Sequence, residues 1–426
     1  MTPFGRKFFS PMKLDNFPET VFLTGATGVL GGRILKELLQ STSSRIYCLA
    51  RGKNPAHSKE RVRAFLRVYD QECTLESAFL SRVIVLAGDV TRERLGLSEE
   101  SFARLQGETD ITIHAAANTS LLLKYKRLEP INVQGTGRVI EFCLGTAGKS
   151  LSYVSTSTVM GDKTFDQRVR FRESDYDLGQ GFNHLNYQRS KFRAEAMVRA
   201  AEERGLKWRI FRPGQIYGES TTGAYPHSET QVSGLFYDLF KTAMDTCVMP
   251  EAYIHYDVVP VDYVSRAIVA LSAGFENFFE VYHLTNPDAK TFAEVMGLLR
   301  EIGYPIELLP EEIYKQRLRN GEIKKNGGPY KSTMLKAFSL WYFISKVSFY
   351  ASAATDCEYT RSKLEKLGVI CAPLDRRLIE TYVRAGIREG YLPRPPHEGD
   401  QNAAAALCGF PADLDLKSAA GSGSRS

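Results

Sequence analysis

The segment YQRSK sets Tyr187 and Lys191 four residues apart, one helical turn, and so on a single helix face. A phenol with its ordinary pKa near 10 is a poor acid-base group at neutral pH until a nearby cation lowers it, and the Lys191 ammonium is the expected cation. Upstream, VSTSTVMG closes an apolar run and offers hydroxyls at Ser155, Thr156, Ser157 and Thr158. One of these, facing the tyrosine, would complete an oxyanion-stabilising pair around a substrate oxygen. YxxxK arises by chance in many helices, and a serine-rich strand end beside an exposed tyrosine is the plainer alternative. The decision rests on what else the chain carries.

It carries a glycine turn. In LTGATGVLGGRI, Gly25, Gly28 and Gly31 follow a short apolar run and precede a helical pattern. Bare backbone at a strand-to-helix turn lets a pyrophosphate reach N–H groups at the positive end of the helix, so a dinucleotide is expected there. The second strand ends LARGK, with Arg51 where an acidic residue would bond the ribose 2′-OH of NAD, and with Arg61 on the next helix. A basic residue there suits a 2′-phosphate, which predicts NADPH; the alternative is a solvated surface charge. Asp89 in AGDV is expected either to meet the adenine or to cap a turn. The small residues of HAAAN, Ala115 to Ala117, would let the cofactor lie flat.

These side chains require a frame of alternating strands and helices. VFLT, RIYCLA, RVIVLAGDV, DITIHAAA, SLSYVSTST and KWRIFRPG read as strands, separated by amphipathic stretches such as VLGGRILKELLQ, SKERVRAFLRVYD, SEESFARL, NVQGTGRVIEFCLGT and YQRSKFRAEAMVRAAEERG. That order predicts an α/β, Rossmann-type doubly wound parallel sheet. Past residue 217 the alternation fades, with EVYHLTN as one more strand and a smaller, mostly helical lobe toward the C-terminus. Ala, Gly and Ser dominate after LPRPPHEGD.

The 426 residues carry 55 Lys plus Arg against 49 Asp plus Glu, a net charge of +6. That is too mild and too dispersed for a nucleic-acid partner and suits an anionic cofactor or an acidic protein. Seven scattered cysteines, without a CxxC pair, argue against a disulfide framework or a metal site and for a reducing, cytoplasmic setting. The N-terminal segment lacks the apolar core of a signal peptide. LKAFSLWYFISKVSFYASAA, residues 335–354, is interrupted by Lys336 and Lys346, so a buried or groove-lining helix is expected rather than a membrane span, the alternative being a lipid-facing or partner-facing surface.

TGATGVLGG, GDV, HAAA, STSTVMG, YQRSK and FRPGQIYGES, in that order, resemble the extended short-chain dehydrogenase/reductases. LTGATGVLGGRILKELL, LARG, RPGQIYGESTTGAY, VPVDYVSRAIV and LIETYVRAGIREGYLP are most similar to their thioester reductase branch. That branch holds the terminal reductase domains of nonribosomal peptide and polyketide synthases, carboxylic acid reductases and aminoadipate reductases, with fatty acyl-CoA reductases nearby. The resemblance spans residues 17–395 and is looser after 290. It implies an NADP-binding Rossmann domain over 17–290 that includes the catalytic residues, a substrate- and carrier-facing lobe over 291–395 completed by parts of 217–260, and flexible tails at 1–16 and 396–426. The family's catalytic hydroxyl falls on Thr156, its tyrosine on Tyr187 and its lysine on Lys191. Its turn glycines fall on Gly25, Gly28 and Gly31, its 2′-phosphate arginine on Arg51 with Arg61 as second candidate, and its nicotinamide-bordering loop on Pro213, Gly214 and Ile216. The expected cofactor contacts further include Thr24, Thr27, Val29, Leu30, Asp89, Val90, Ala115, Ala116, Ala117 and Asn132; no metal is expected.

The activity so implied is NADPH-dependent reduction of an acyl thioester, held on a carrier protein's phosphopantetheine arm or on CoA, to an aldehyde, and in a second round to an alcohol. Such domains usually follow adenylation and carrier modules, which this sequence lacks, so the acyl group is expected on another molecule unless the chain is an excised domain. Substrate choice is expected in 220–250 and 310–355. Carrier domains are typically acidic, and Lys315, Arg317, Arg319, Lys324 and Lys325 would attract one; the alternative for that run is a solvated helix face. Rival readings on the same fold are nucleotide-sugar epimerases or dehydratases, hydroxysteroid- or flavonoid-type ketone reductases, and a non-catalytic cofactor sensor.

Overall fold

Seven of the apolar runs pair into one parallel sheet in the computed structural model, which describes residues 12–146, 148–165, 169–227, 235–251, 255–274, 276–323 and 355–396. The strands are β1 (Thr20–Thr24), β2 (Arg45–Ala50), β3 (Val83–Ala87), β4 (Ile111–His114), β5 (Ser150–Val154), β6 (Lys207–Pro213) and β7 (Glu280–Leu284). Their order is β7-β6-β5-β4-β1-β2-β3, every neighbouring pair parallel. This is the doubly wound arrangement expected. Strand order reverses between β1 and β4, where Thr24 pairs with His114, and the crevice beyond those strand ends is where such sheets take ligands.

The helices that cover the sheet are α1 (Val29–Ser41), α2 (Pro55–Tyr69), α3 (Glu76–Arg82), α4 (Glu99–Glu108), α5 (Tyr125–Glu129), α6 (Gly135–Leu144), α7 (Asn186–Ala200), α8 (Leu235–Thr246) and α9 (Val261–Ser272). Beyond β7 follow α10 (Phe292–Glu301), α11 (Glu311–Arg319), α12 (Glu358–Lys366) and α13 (Arg376–Arg388). Successive β1 side chains alternate between two cores, as the pleat requires. Val21 and Leu23 pack with Ile34 and Leu38 of α1 and with Ala267 and Ile268 of α9. Phe22 packs with Leu105 of α4, Val139 of α6 and Val198 of α7. Burial on both faces explains why these strands read as continuous apolar runs, each fully buried Leu, Ile or Phe contributing about 1.5–3 kcal/mol.

A second core joins Phe240 of α8, Phe292, Met296 and Leu299 of α10, and Leu378, Ile379 and Tyr382 of α13. Residues after 355 also return to the sheet edge: Leu364 and Val369 belong to the first core, and the β7 amide of His283 donates to Thr360 Oγ1 at 2.9 Å. The segment 335–354, Lys324, Lys325, Cys408, residues 1–11 and residues 397–426 lie outside the described residues. Among the described residues no helix is long and apolar enough to cross a membrane.

Candidate active site

The glycine turn after β1 is held by main chain packed on main chain. Gly25 has φ of 85°, and a Cβ there would lie 2.6 Å from the Ala115 carbonyl carbon and the Ala116 nitrogen. A Cβ on Gly31 would lie 1.9 Å from Gly25 O, so the first turn of α1 closes on the loop only without a side chain. Gly28 differs: a Cβ there would meet only Gly25 O, at 3.3 Å. Gly28 is the α1 N-cap, with no side-chain cap and no acidic residue in the first turn, which leaves the positive helix end open to an anion. The residues present therefore fit a dinucleotide's pyrophosphate. Gly31→Ala is expected to weaken cofactor binding tenfold or more, the equivalent of about 1.4 kcal/mol, because overpacking must displace the turn; fluorescence titration with the cofactor reads this.

The strand ends at the switch point are tied together. Thr24 Oγ1 bonds His114 Nδ1 at 2.7 Å, His114 Nε2 bonds Thr136 Oγ1 at 3.1 Å, and Thr136 Oγ1 donates to Asn132 O at 2.7 Å. Burial, with the Lys191 charge adding, brings His114 down to about 3, so it bridges as a neutral ring. The Asn132 amide is engaged by protein on both sides: Oδ1 accepts from Asn118 N at 2.7 Å, and Nδ2 donates to Asn118 O and Ser190 Oγ, both at 2.9 Å. Ser190 Oγ in turn donates to Tyr187 O at 2.6 Å. Asn132 thus fastens the loop after β4, with Ala115, Ala116 and Ala117, to the start of α7.

On α7, Tyr187, Lys191 and Glu195 follow at one-turn intervals along one face. Lys191 is buried, its Nζ donating to Val154 O at 2.7 Å and lying 4.3 Å from the Tyr153 ring centroid. Burial lowers Lys191 to about 7, against the opposing pull of Glu195. The expectation that Lys191 lowers the Tyr187 phenol is not met: burial pushes that phenol well above its ordinary value, while the Lys191 ammonium is turned to the end of β5. No hydrogen bond among the described residues engages the Tyr187 hydroxyl.

The four clustered hydroxyls separate by partner. Ser155 Oγ donates to Glu195 Oε2 at 2.8 Å, whereas Thr156 Oγ1, among the described residues, pairs only with Thr158, hydroxyl to hydroxyl at 3.0 Å and from Thr158 N at 3.3 Å. Glu195 also forms a fully buried ion pair with Arg212, the residue before Pro213, at 2.6 Å. Burial pushes the Glu195 carboxyl up, but Arg212 and Arg199 outweigh it, and the group sits below its usual range. Arg212 continues to the Asp175 carbonyl at 2.9 Å and to His283 Nε2 at 3.0 Å, whose Nδ1 donates to the Asp356 carbonyl at 2.7 Å. Glu195 and Arg212 were not among the sequence candidates, although YxxxKxxxE, three groups on one helix face, marked the first of them.

Arg51 is exposed, and the Arg61 guanidinium donates to its carbonyl oxygen. Burial and the neighbouring Arg51 charge both lower Arg61, and neither arginine pairs with a carboxylate among the described residues. Two uncompensated cations side by side fit an added anion. Asp89 caps its own turn, accepting from Thr91 N and Thr91 Oγ1 at 2.8 Å each through Oδ1; Val90, next to it, is buried against Gly135. Pro213 ends β6, and Ile216, like Val29 and Leu30 at the start of α1, packs against the buried cluster of Tyr69, Ala224 and Val261. Gly214 cannot carry a side chain, since a Cβ would stand 1.7 Å from Asp257 Oδ2, a buried carboxyl that desolvation raises to about 7. In the run expected to attract a carrier, Lys315 pairs with Glu311 and Glu312 at 2.7 Å each, and Arg317 lies 3.6 Å from Glu307. Lys315 and Arg317 are thus matched locally, while Lys324 and Lys325 of that run lie outside the described residues.

The profile of an NAD-binding family described as "Male sterility protein" matches residues 23–268. The chain is 31% identical over 289 residues to a linear gramicidin synthase of Brevibacillus parabrevis, covering 68% of this chain and 6% of that protein. It is 30% identical to glycine betaine reductase ATRR of Emericella nidulans, covering 89% of this chain and 29% of that protein, and 26% identical to the L-2-aminoadipate reductase large subunit of Penicillium chrysogenum, covering 96% and 30%. The chain thus spans less than a third of these curated relatives. Among solved structures, the terminal R domain from the myxalamid PKS-NRPS biosynthetic pathway superposes with a TM-score of 0.77 at 32% identity, over 89% of this chain and 93% of that one. A thiolation-reductase di-domain from an archaeal non-ribosomal peptide synthetase superposes with a TM-score of 0.72 at 25% identity, over 90% and 78%.

Proposed function

Given that this chain belongs to the "Male sterility protein" family of NAD-binding oxidoreductases, as an extended short-chain dehydrogenase/reductase of the thioester reductase type, we propose that it uses NADPH to reduce a pantetheine-bound acyl thioester to an aldehyde. The observation that carries this reading is the shared face of Tyr187 and Lys191, locked to the end of β5 by the Lys191–Val154 bond, beside an open helix N-terminus. Gly25, Gly28, Gly31 and the N–H groups of Val29 and Leu30 would cradle the pyrophosphate, with Thr24 and Thr27 beside them. Asp89, Val90 and Ala115 to Ala117 would flank the adenosine half, and Pro213, Gly214 and Ile216 the nicotinamide.

The bound nicotinamide supplies a hydride to the thioester carbonyl carbon. Thr156 and Tyr187 hold the carbonyl oxygen through their hydroxyls as its charge develops, and Tyr187 donates its proton to that oxygen. A phenol held high by burial suits this role, being fully protonated before the step. Lys191, its Nζ held at the end of β5 by Val154 O, would bond the nicotinamide ribose. The resulting thiohemiacetal collapses as its C–S bond breaks and the hydroxyl proton leaves with the thiol, releasing the aldehyde.

Arg51 and Arg61 would hold the 2′-phosphate. Replacing both with Ala is expected to lower the preference for NADPH over NADH by about 10- to 100-fold, since a hydrogen bond to a charged group contributes about 1.5–3 kcal/mol. Steady-state KM values for the two coenzymes check this. The function itself is tested by supplying NADPH with an acyl thioester, a ketone or a nucleotide sugar: aldehyde from the thioester alone supports the reading, and turnover of only the other two overturns it.

A further inference from the structure

We propose that an acidic carrier domain docks on the outward face of α5 and α7, at the mouth of the crevice; this rests on the thioester reading above. Five exposed cations crowd this face: Lys124, Lys126 and Arg127 at α5, and Arg189 and Arg193 on α7. They differ from Lys315 of α11, which is matched by two carboxylates of its own helix. Among the described residues Lys124, Lys126, Arg127 and Arg189 pair with no carboxylate, and Arg193 reaches Glu129 only at 4.0 Å. The charge is also held in place. Arg189 and Arg193 lie over the Tyr125 ring, 4.8 and 5.4 Å from its centroid, and Arg193 Nη1 donates to Tyr125 Oη at 3.3 Å. A guanidinium already stacked on an aromatic loses less freedom when a carboxylate arrives. Leu122, 65% exposed, adds an apolar contact at the edge of the cluster.

Placement selects the occupant. Arg189 and Arg193 point outward from the same helix whose inward face presents Tyr187 and Lys191. The loop between Ala115 and Lys124 joins the proposed cofactor wall to the patch, and Asn132 and Ser190 fix it to α7. A carboxylate-bearing domain seated there would hold a flexible acyl arm next to the crevice, and complementary charge would speed its encounter.

The test combines Lys126→Glu, Arg127→Glu and Arg193→Glu in the full chain. Three substrates carry one acyl group: a carrier domain, CoA, and N-acetylcysteamine as a short mimic of the arm's end. Docking predicts a fall of about tenfold or more in kcat/KM for the carrier substrate, with loss of its salt dependence, and unchanged values for the short thioester. Leu122→Asp, with unchanged melting temperature, is expected to weaken carrier turnover in the same selective way. Equal turnover of the carrier substrate by wild type and variants overturns the proposal, as does an equal loss on acyl-CoA, which would assign the patch to the nucleotide of CoA. Failure of the wild type on all three thioesters would instead overturn the reading of function, and docking with it.

Discussion

Tyr187→Phe is expected to lower thioester turnover by about 10²–10⁴-fold while leaving cofactor affinity within about twofold, because the substitution removes one oxygen and little volume. The Tyr187 hydroxyl has no hydrogen-bond partner among the described residues, so its loss leaves no buried group stranded and the fold is expected to persist. Thr156 would still hold the substrate oxygen, but no proton donor would stand at the carbonyl. Single-turnover kinetics with matched cofactor titrations separate the two effects. A variant that retains full turnover would remove Tyr187 from the chemistry.

The second large effect is expected at Glu195. In Glu195→Gln, Arg212 keeps its charge in a fully buried setting without its counter-ion, which costs about 3–5 kcal/mol and lowers the melting temperature by roughly 3–6 °C. Stability alone would make Glu195 a packing residue. Its effect on Lys191 goes further: burial lowers that amine to about 7 and the Glu195 charge opposes the fall. The ammonium of the cofactor-free protein is therefore present below about pH 7 and lost above it, so kcat/KM is expected to decline as pH rises through that region. Removing the carboxylate lowers Lys191 further and moves the decline to lower pH. A lower melting temperature without that displacement would confine Glu195 to a structural role. Glu195→Gln with Arg212→Met should regain part of the stability and keep the displaced pH profile, since the buried cation is gone but the carboxylate is not restored.

The parallel sheet and its glycine turn were legible because their causes are local. Runs such as VFLT and RIYCLA are mostly apolar since both sheet faces are covered, and Gly25 and Gly31 stand where only bare backbone fits. The short helix α3 went unread, since ESAFLSR buries only Phe79 and shows no period. The state of the Tyr187 phenol has a tertiary cause: spacing puts Lys191 on its face but does not reveal that Nζ turns to Val154 O or that burial raises the phenol. Arg212 was invisible as a partner because β6 brings it to Glu195 only in the folded sheet. The neutralisation of Lys315, by contrast, was readable in EEIYKQR, where Glu311 and Glu312 precede it by one turn.

Label transfer tests the central claim most directly: NADPH carrying deuterium at the reactive nicotinamide carbon, an acyl-pantetheine thioester, and mass analysis of the trapped product beside a thiol assay. The account predicts an aldehyde with one deuterium on its carbonyl carbon and one thiol released for each NADPH consumed. Unlabelled aldehyde, or deuterium delivered to a ketone while the thioester and its thiol stay intact, would contradict it.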